Sequence, residues 1–239
     1  MKLTLVLALL VLTSTAAQAA DGFASLFNGK DFTGWKTPVG DNGHWKIKNG
    51  VIDYDARSEA PGDKNLWSAK EYKDFVLKID WRIKETTGLY PVPTVLPDGT
   101  HKKGPDGKDL ITPTPNADSG IYLRGNSKAQ LNIWCWPIGS GEVYGYRMDK
   151  NMPPEVRAGV TPKMKADKPV GEWNTFEITM KGDRLTVVLN GKTVIQNAQL
   201  PGVPEKGPLA LQHHGGFKDG KYSPASSLVQ FRNISIKEL

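Results

Sequence analysis

Hydrophobic and polar residues alternate with a period of two along much of this chain. The clearest run starts at Phe75. Phe75, Leu77, Ile79, Trp81 and Ile83 fall on one side, and Lys78, Asp80 and Arg82 on the other. Successive side chains leave opposite faces of a strand, so this run predicts a strand with one buried face. Positions 118–146, DSGIYLRGNSKAQLNIWCWPIGSGEVYGY, hold two more such runs. In the first, Ile121 and Leu123 oppose Tyr122 and Arg124. In the second, Leu131, Ile133 and Cys135 oppose Gln130, Asn132, Trp134 and Trp136. Turn dipeptides separate further runs: Asn49-Gly50 in HWKIKNGVIDY, then Gly182-Asp183 and Asn190-Gly191 in WNTFEITMKGDRLTVVLNGKTVI. Asn and Gly accept the positive φ that tight hairpins require. PLALQHHG and VQFRNISIKEL predict two closing strands. No stretch shows a long helical period capped at both ends. Many short strands joined by turns predict an all-β chain folded as an antiparallel sandwich or barrel.

Three stretches break the pattern. At the start, Lys2 precedes an apolar run from Leu3 to Leu12, then small and polar residues ending Ala17-Gln18-Ala19-Ala20. That order predicts an export signal over 1–20, with the run too short for the ~20 residues of a membrane span. The mature chain is then a single domain, 21–239, exported to the periplasm or the medium. The stretch 86–117 carries Pro91, Pro93, Pro97, Pro105, Pro113 and Pro115. It reads as a long irregular insertion that enters the sheet beside Asp118, and loops of such length usually serve function. A second irregular stretch, 149–170, carries prolines and lysines.

Composition narrows the function classes. The chain has 239 residues, a formal charge of +6 and one cysteine, Cys135. A lone cysteine excludes an intrachain disulfide and, with no flanking basic cluster, reads as a small buried hydrophobe. The lysines are interleaved with acids rather than gathered in a stripe, which argues against nucleic acid as a partner. No later segment is apolar enough to span a membrane.

The polar faces carry the candidate chemistry. Tyr122, Arg124, Gln130, Asn132, Trp134 and Trp136 combine a guanidinium, two amides and large aromatics. That set suits a polar ring compound such as a sugar, because two tryptophans are wasteful on a merely wetted face.

Six segments in order resemble the 3-keto-disaccharide hydrolase domain family: GFASLFNGKDFTGW, HWKIKNGVI, LWSAKEYKDFVLKIDWRI, SGIYLRG, GEWNTFEITMKGDRLTVVLNGK, and GPLALQHHG with VQFRNISIKEL. The resemblance covers essentially the whole mature chain. It implies a concanavalin A-like jelly-roll sandwich and action on sugars whose C3 hydroxyl has become a ketone. The strands carrying Lys78, Asp80 and Arg82 are then expected beside those carrying Tyr122, Arg124, Gln130, Asn132 and Trp134, on one concave face.

Conventional glycosidases need two carboxylates flanking the bond, and no local E-x-D-x-E signature is present. A 3-keto sugar has an acidified C2 hydrogen. A base removes it, the C1 substituent departs, and water can add back. Such chemistry needs a base and an electrophile for the enolate oxygen. Candidate catalytic residues are Glu142, in the glycine-bracketed turn GSGEVYGY, His214 of LQHHG, and Asp80. His214 is preferred over His213 because it shares strand parity with Gln212. Arg124 and Arg82 would hold oxygens, Trp134 or Trp136 would stack on a pyranose face, and Tyr144 or Tyr146 would line the rim. Asp118 would orient Arg124, ligate a metal or cap a turn. A divalent metal is a candidate cofactor, with Asp80, Glu142 and His214 as its ligands. DGTHKKGPDGKD lacks the register of a calcium loop and reads as turns. The expected partner is a small carbohydrate, an oxidised glycoside. The competing expectation is a noncatalytic carbohydrate-binding module on the same scaffold.

Overall fold

The period-two runs become strands because each can bury one face against another sheet. The computed structural model describes residues 21–223 and 225–239, so the leader read over 1–20 lies outside the described residues. In chain order the strands begin with β1 (Ala24–Ser25), β2 (Trp35–Lys36), β3 (Lys46–Lys48), β4 (Val51–Asp53), β5 (Leu66–Tyr72) and β6 (Phe75–Ile83). Next come β7 (Leu89–Pro93), β8 (Ile111–Pro115), β9 (Asp118–Leu123) and β10 (Asn126–Trp134). Two short helices follow, α1 (Tyr144–Arg147) and α2 (Pro154–Gly159). The chain continues with β11 (Asn174–Lys181), β12 (Arg184–Leu189), β13 (Lys192–Gln199) and β14 (Gly207–Leu211). It ends with β15 (Phe217–Lys218), β16 (Lys221–Tyr222) and β17 (Val229–Glu238).

An eight-stranded sheet runs β13-β12-β11-β6-β17-β4-β3, with β1 also on β17, and a five-stranded sheet runs β10-β9-β14-β5-β2. The pairings are antiparallel, as between β11 and β6 or β10 and β9. The two sheets pack face to face as a jelly-roll sandwich: the alternation predicts a sandwich or a barrel, and the family resemblance implies the jelly roll. The hairpin signals act as expected. Asn49 and Gly50 take φ of 51° and 75°, and Asn190 and Gly191 take 51° and 78°, so both pairs turn the chain in the left-handed region.

β6 alternates buried and half-buried along its length, as its sequence dictates. Phe75, Leu77, Ile79 and Trp81 of the large sheet share one core with Ile121, Leu123, Leu131 and Ile133 of the small sheet. Each such side chain contributes about 1.5–3 kcal/mol by leaving water. The opposite face of the small sheet is left outside this core.

The stretch 86–117 is not irregular. β7 and β8 pair from Leu89↔Pro115 to Pro93↔Ile111, and bridges at Val95↔His101 and Lys103↔Asp109 extend the ribbon. Its prolines fit because a two-stranded ribbon has only edges, where a missing N–H can face outward. The turns read in DGTHKKGPDGKD form its tip, closed by Gly99 N–H to Leu96 O and Gly107 N–H to Gly104 O.

Candidate active site

The outward face of the small sheet supplies the floor of a cleft. In the ladder between β10 and β9, Gln130 lies opposite Tyr122, Asn132 opposite Gly120, and Trp134 opposite Asp118. Directly opposed residues share a face, so these side chains form one surface. β14 adds Ala210 beside Tyr122, and Gln212 follows, its N–H donating to the Gly120 carbonyl. Gly120 is required here. A Cβ would come within 2.6 Å of both the Gln130 amide nitrogen and the Leu131 carbonyl oxygen. The β7–β8 ribbon brings Tyr90 and Val92 to one wall, and Tyr144 of α1 stands on another. The enclosed cleft holds about 280 Å³, with Asp118, Gln130, Asn132, Trp136, Gln212 and His214 among its linings.

Each group in the cleft is fixed by a local cause. Gln130 Nε2 donates to Asn132 Oδ1 at 2.5 Å and to Gln212 Oε1 at 2.7 Å, so three amides form one chain. That arrangement turns the NH₂ groups of Asn132 and Gln212 toward other acceptors. Trp134 and Trp136 stack with centroids 4.1 Å apart and planes 7° from parallel, and Tyr144 meets both edge-on. Trp134 is buried beneath this stack, while Trp136 is half-buried and Tyr144 exposed. The free aromatic surface therefore belongs to Trp136 and Tyr144.

His214 is held from two sides. Its backbone N–H donates to Ser227 Oγ at 2.8 Å, and its ring Nδ1 donates to the Ala225 carbonyl at 2.7 Å. A carbonyl can only accept, so Nδ1 carries a hydrogen, and in the neutral ring the lone pair lies on Nε2. The same Ser227 hydroxyl donates to the Asp118 backbone carbonyl at 2.7 Å, which ties the two cleft residues together. Asp118 is half-buried as a residue, but its Oδ1 is sealed from water and has no hydrogen-bond partner among the described residues. Burial alone holds this carboxyl well above the usual carboxylate range. His213 points elsewhere, as strand parity requires. It bonds to the Tyr54 hydroxyl, and burial, with Lys64 nearby, pushes its ring down to about 4.

Several side chains expected at the site stand apart from it. Alternation assigns a residue to a face of its strand but not to a sheet, and β6 belongs to the large sheet. Asp80 lies on that sheet's outer face, accepting from Thr175 Oγ1 at 2.7 Å and Asn233 Nδ2 at 2.7 Å. Arg82, on the same face, donates to Gln230 and stacks over Trp173. Lys78 pairs across the sheet with Glu177. The expected concave face shared by Lys78, Asp80 and Arg82 with the Tyr122 strand does not form.

Arg124 is also elsewhere. β9 ends at Leu123, and Arg124 takes φ of 50°, which swings it off the strand's face. It donates to the Lys73 carbonyl at 2.6 Å, the Gly182 carbonyl at 2.6 Å and Asp74 Oδ1 at 2.9 Å. These bonds clamp three turns at one end of the sandwich. Glu142 is fully buried and paired with Arg147 Nε, outside the cleft lining. Burial pushes its carboxyl up to about 7, with Arg147 pulling it back down. Tyr146 is buried and donates to the Pro201 carbonyl at 3.2 Å, so the rim belongs to Tyr144. Tyr122 shares the face with Gln130 but packs beside Trp67 at 5.8 Å. Cys135 packs against the core, and burial raises its thiol to about 11, consistent with an inert side chain.

The residues proposed as metal ligands are thus dispersed. Among the described residues no three of His, Cys, Asp and Glu gather closely enough to hold a metal ion. The donor set does not fit a divalent cation. A neighbouring apolar cavity of about 300 Å³ shares Trp134 and Pro115 with the cleft. Its one carboxylate, Asp167, accepts from the Ser140 backbone N–H.

The 3-keto-alpha-glucoside-1,2-lyase-like domain model matches residues 22–237. A 3-keto-disaccharide hydrolase of Bacteroides thetaiotaomicron is 24% identical over 188 residues, covering 74% of this chain and 59% of that protein. The chain thus spans about three-fifths of that relative's length. A candidate glycosyl hydrolase from Parabacteroides distasonis has a similar fold, with TM-score 0.57 and 22% identity over 96% of this chain and 98% of its own. A second from the same organism gives TM-score 0.53 and 20% identity over 91% of this chain and 84% of its own. At these identities the structures establish the shared sandwich.

Proposed function

This chain belongs to the 3-keto-alpha-glucoside-1,2-lyase-like domain family, and from that premise we propose that it cleaves 3-keto-glycosides by removing the C2 proton. The observation that carries the reading is the pairing of His214 with Asp118 in one cleft. One presents an imidazole whose Nδ1 is held by a carbonyl so that Nε2 is left to face the cleft, and the other a carboxyl that burial holds well above the usual carboxylate range. An imidazole nitrogen and a carboxyl raised by burial in one cleft suit the roles of base and acid.

The sugar lies on Trp136 and Tyr144, with its hydroxyls on the amides of Asn132 and Gln212. His214 Nε2 takes the C2 hydrogen, and the electron pair moves into the C2–C3 bond, placing charge on the C3 oxygen. Amide N–H groups aimed at that oxygen stabilise it most in a site shielded from water. The enolate then collapses, the C1–O bond breaks, and the leaving oxygen takes a proton from Asp118. The products are a 2-hydroxy-3-keto-glycal and an alcohol. Water adding across the C1–C2 bond converts the glycal to the 3-keto sugar, a net hydrolysis. A proton passes through solvent from His214 to Asp118 to restore both. The leader read at 1–20 would place this activity outside the cytoplasm.

The test is turnover of a 3-keto-glucoside by the purified protein and by His214→Ala, Asp118→Asn and His44→Ala. His44 is paired with Asp55 away from the cleft. Loss of acid or base is expected to lower kcat by about 10²–10⁴-fold, with His44→Ala unchanged. Sugar binding without turnover in the parent protein would favour the carbohydrate-binding module instead.

A further inference from the structure

The cleft does not end at its aromatic platform. Tyr90, Trp136 and Tyr144 line it and also line a second hollow of about 180 Å³. That hollow shares His101, Arg147 and Met148 with a third, of about 450 Å³. The three form one lane, with the β7–β8 ribbon along one side and α1 with the residues after it along the other.

The far end of the lane is basic. Lys103, Arg147, Lys150 and Arg157 line it, against one carboxylate, Asp109. Asp109 is already engaged by Lys103 at 2.6 Å and by His101 Nδ1 at 2.8 Å. His101 passes this pairing on by accepting from Arg147 Nη1 at 3.1 Å. The Arg147 guanidinium is therefore held rigidly, with Glu142 on its other side. Among the described residues neither Lys150 nor Arg157 has an ion-pair partner. Arg157 Nε is tied at 2.7 Å to the Arg147 carbonyl, which fixes its remaining donors beside the hollow. A merely solvated surface interleaves its charges; here cations gather where the lane ends, and two of them are immobilised by hydrogen bonds.

We infer that this end is a subsite for an anionic group, carboxylate or sulfate, carried on the part of the saccharide that extends beyond Trp136 and Tyr144. The inference rests on the reading of the cleft as a sugar site. It adds the substrate class: glycosides whose leaving portion is acidic. Planar guanidinium forks suit such groups, and charge-assisted bonds to them are among the stronger ones.

The test is calorimetric binding of two unoxidised disaccharides of equal length, one ending in glucuronate and one neutral. Because neither sugar needs to react, the outcome is independent of whether 3-keto-glycosides are turned over. The acidic disaccharide is expected to bind about tenfold more tightly at low salt, with the advantage lost at high salt. Lys150→Glu, at an exposed position where the fold is insensitive, is expected to abolish the advantage while leaving the neutral sugar's affinity unchanged. Arg157→Gln should reduce it. Equal affinities, an advantage that survives Lys150→Glu, or inorganic sulfate binding as tightly as the acidic sugar would overturn the inference.

Discussion

At the residue scale, two adjacent histidines occupy opposite environments because a strand end sends them opposite ways. His214 enters the cleft, and His213 packs on Tyr54. His213 has a folded-state value of about 4 against an ordinary 6.5. The unfolded chain therefore binds the proton more tightly, and stability present above pH 6.5 is lost as pH falls toward 4. Denaturant titrations across that window should show stability falling in the parent protein and falling less in His213→Gln; equal slopes would contradict this. Gly120 makes a second expectation. In Gly120→Ala the new methyl would press on a strand backbone that cannot yield, costing about 1–3 kcal/mol, read as a lower denaturation midpoint with weaker sugar binding. The sequence made Gln130, Asn132, Trp134, Trp136, Tyr144 and His214 legible, because each follows from strand parity or turn chemistry. Asp118 was visible, but the upward push on its carboxyl was not. That push comes from burial, which depends on how distant segments pack and not on the local sequence. Arg124 was misplaced because one left-handed residue ends the alternation.

At the element scale, α1 and the β7–β8 ribbon turn a sheet face into a cleft. Periodicity could predict the strands and hairpins but not which sheet β6 would join, since sheet membership depends on pairing between distant segments. That is why Asp80 and Arg82 were expected in the wrong place. α1 is only four residues long and is anchored from below. Gly145 sits so close to the Lys128 carbonyl that a Cβ would come within 2.6 Å, and Arg147 is pinned by buried Glu142. Removing one partner of a buried pair leaves an unpaired charge. Glu142→Ala should therefore lower stability by about 3–5 kcal/mol, as read by chemical denaturation. Glu142→Gln should keep turnover, because the carboxyl braces α1 rather than reaching the substrate. Turnover lost in a fully stable Glu142→Gln protein would instead make Glu142 catalytic.

At the scale of the molecule, the two sheets divide the work. The large sheet closes the core and carries ordinary ion pairs on its outer face. The small sheet turns its polar face outward, and the β7–β8 ribbon, α1 and Ala225 border it. A sandwich of this kind hosts binders and enzymes alike, so the proposed activity rests on the cleft, with His214 and Asp118 tied through one serine. The most direct test of that claim is cleavage of a 3-keto-glucoside carrying deuterium at C2. The account predicts a primary isotope effect on turnover and loss of the C2 label to solvent in the product. Cleavage at an unchanged rate with the label retained would contradict removal of the C2 proton by His214.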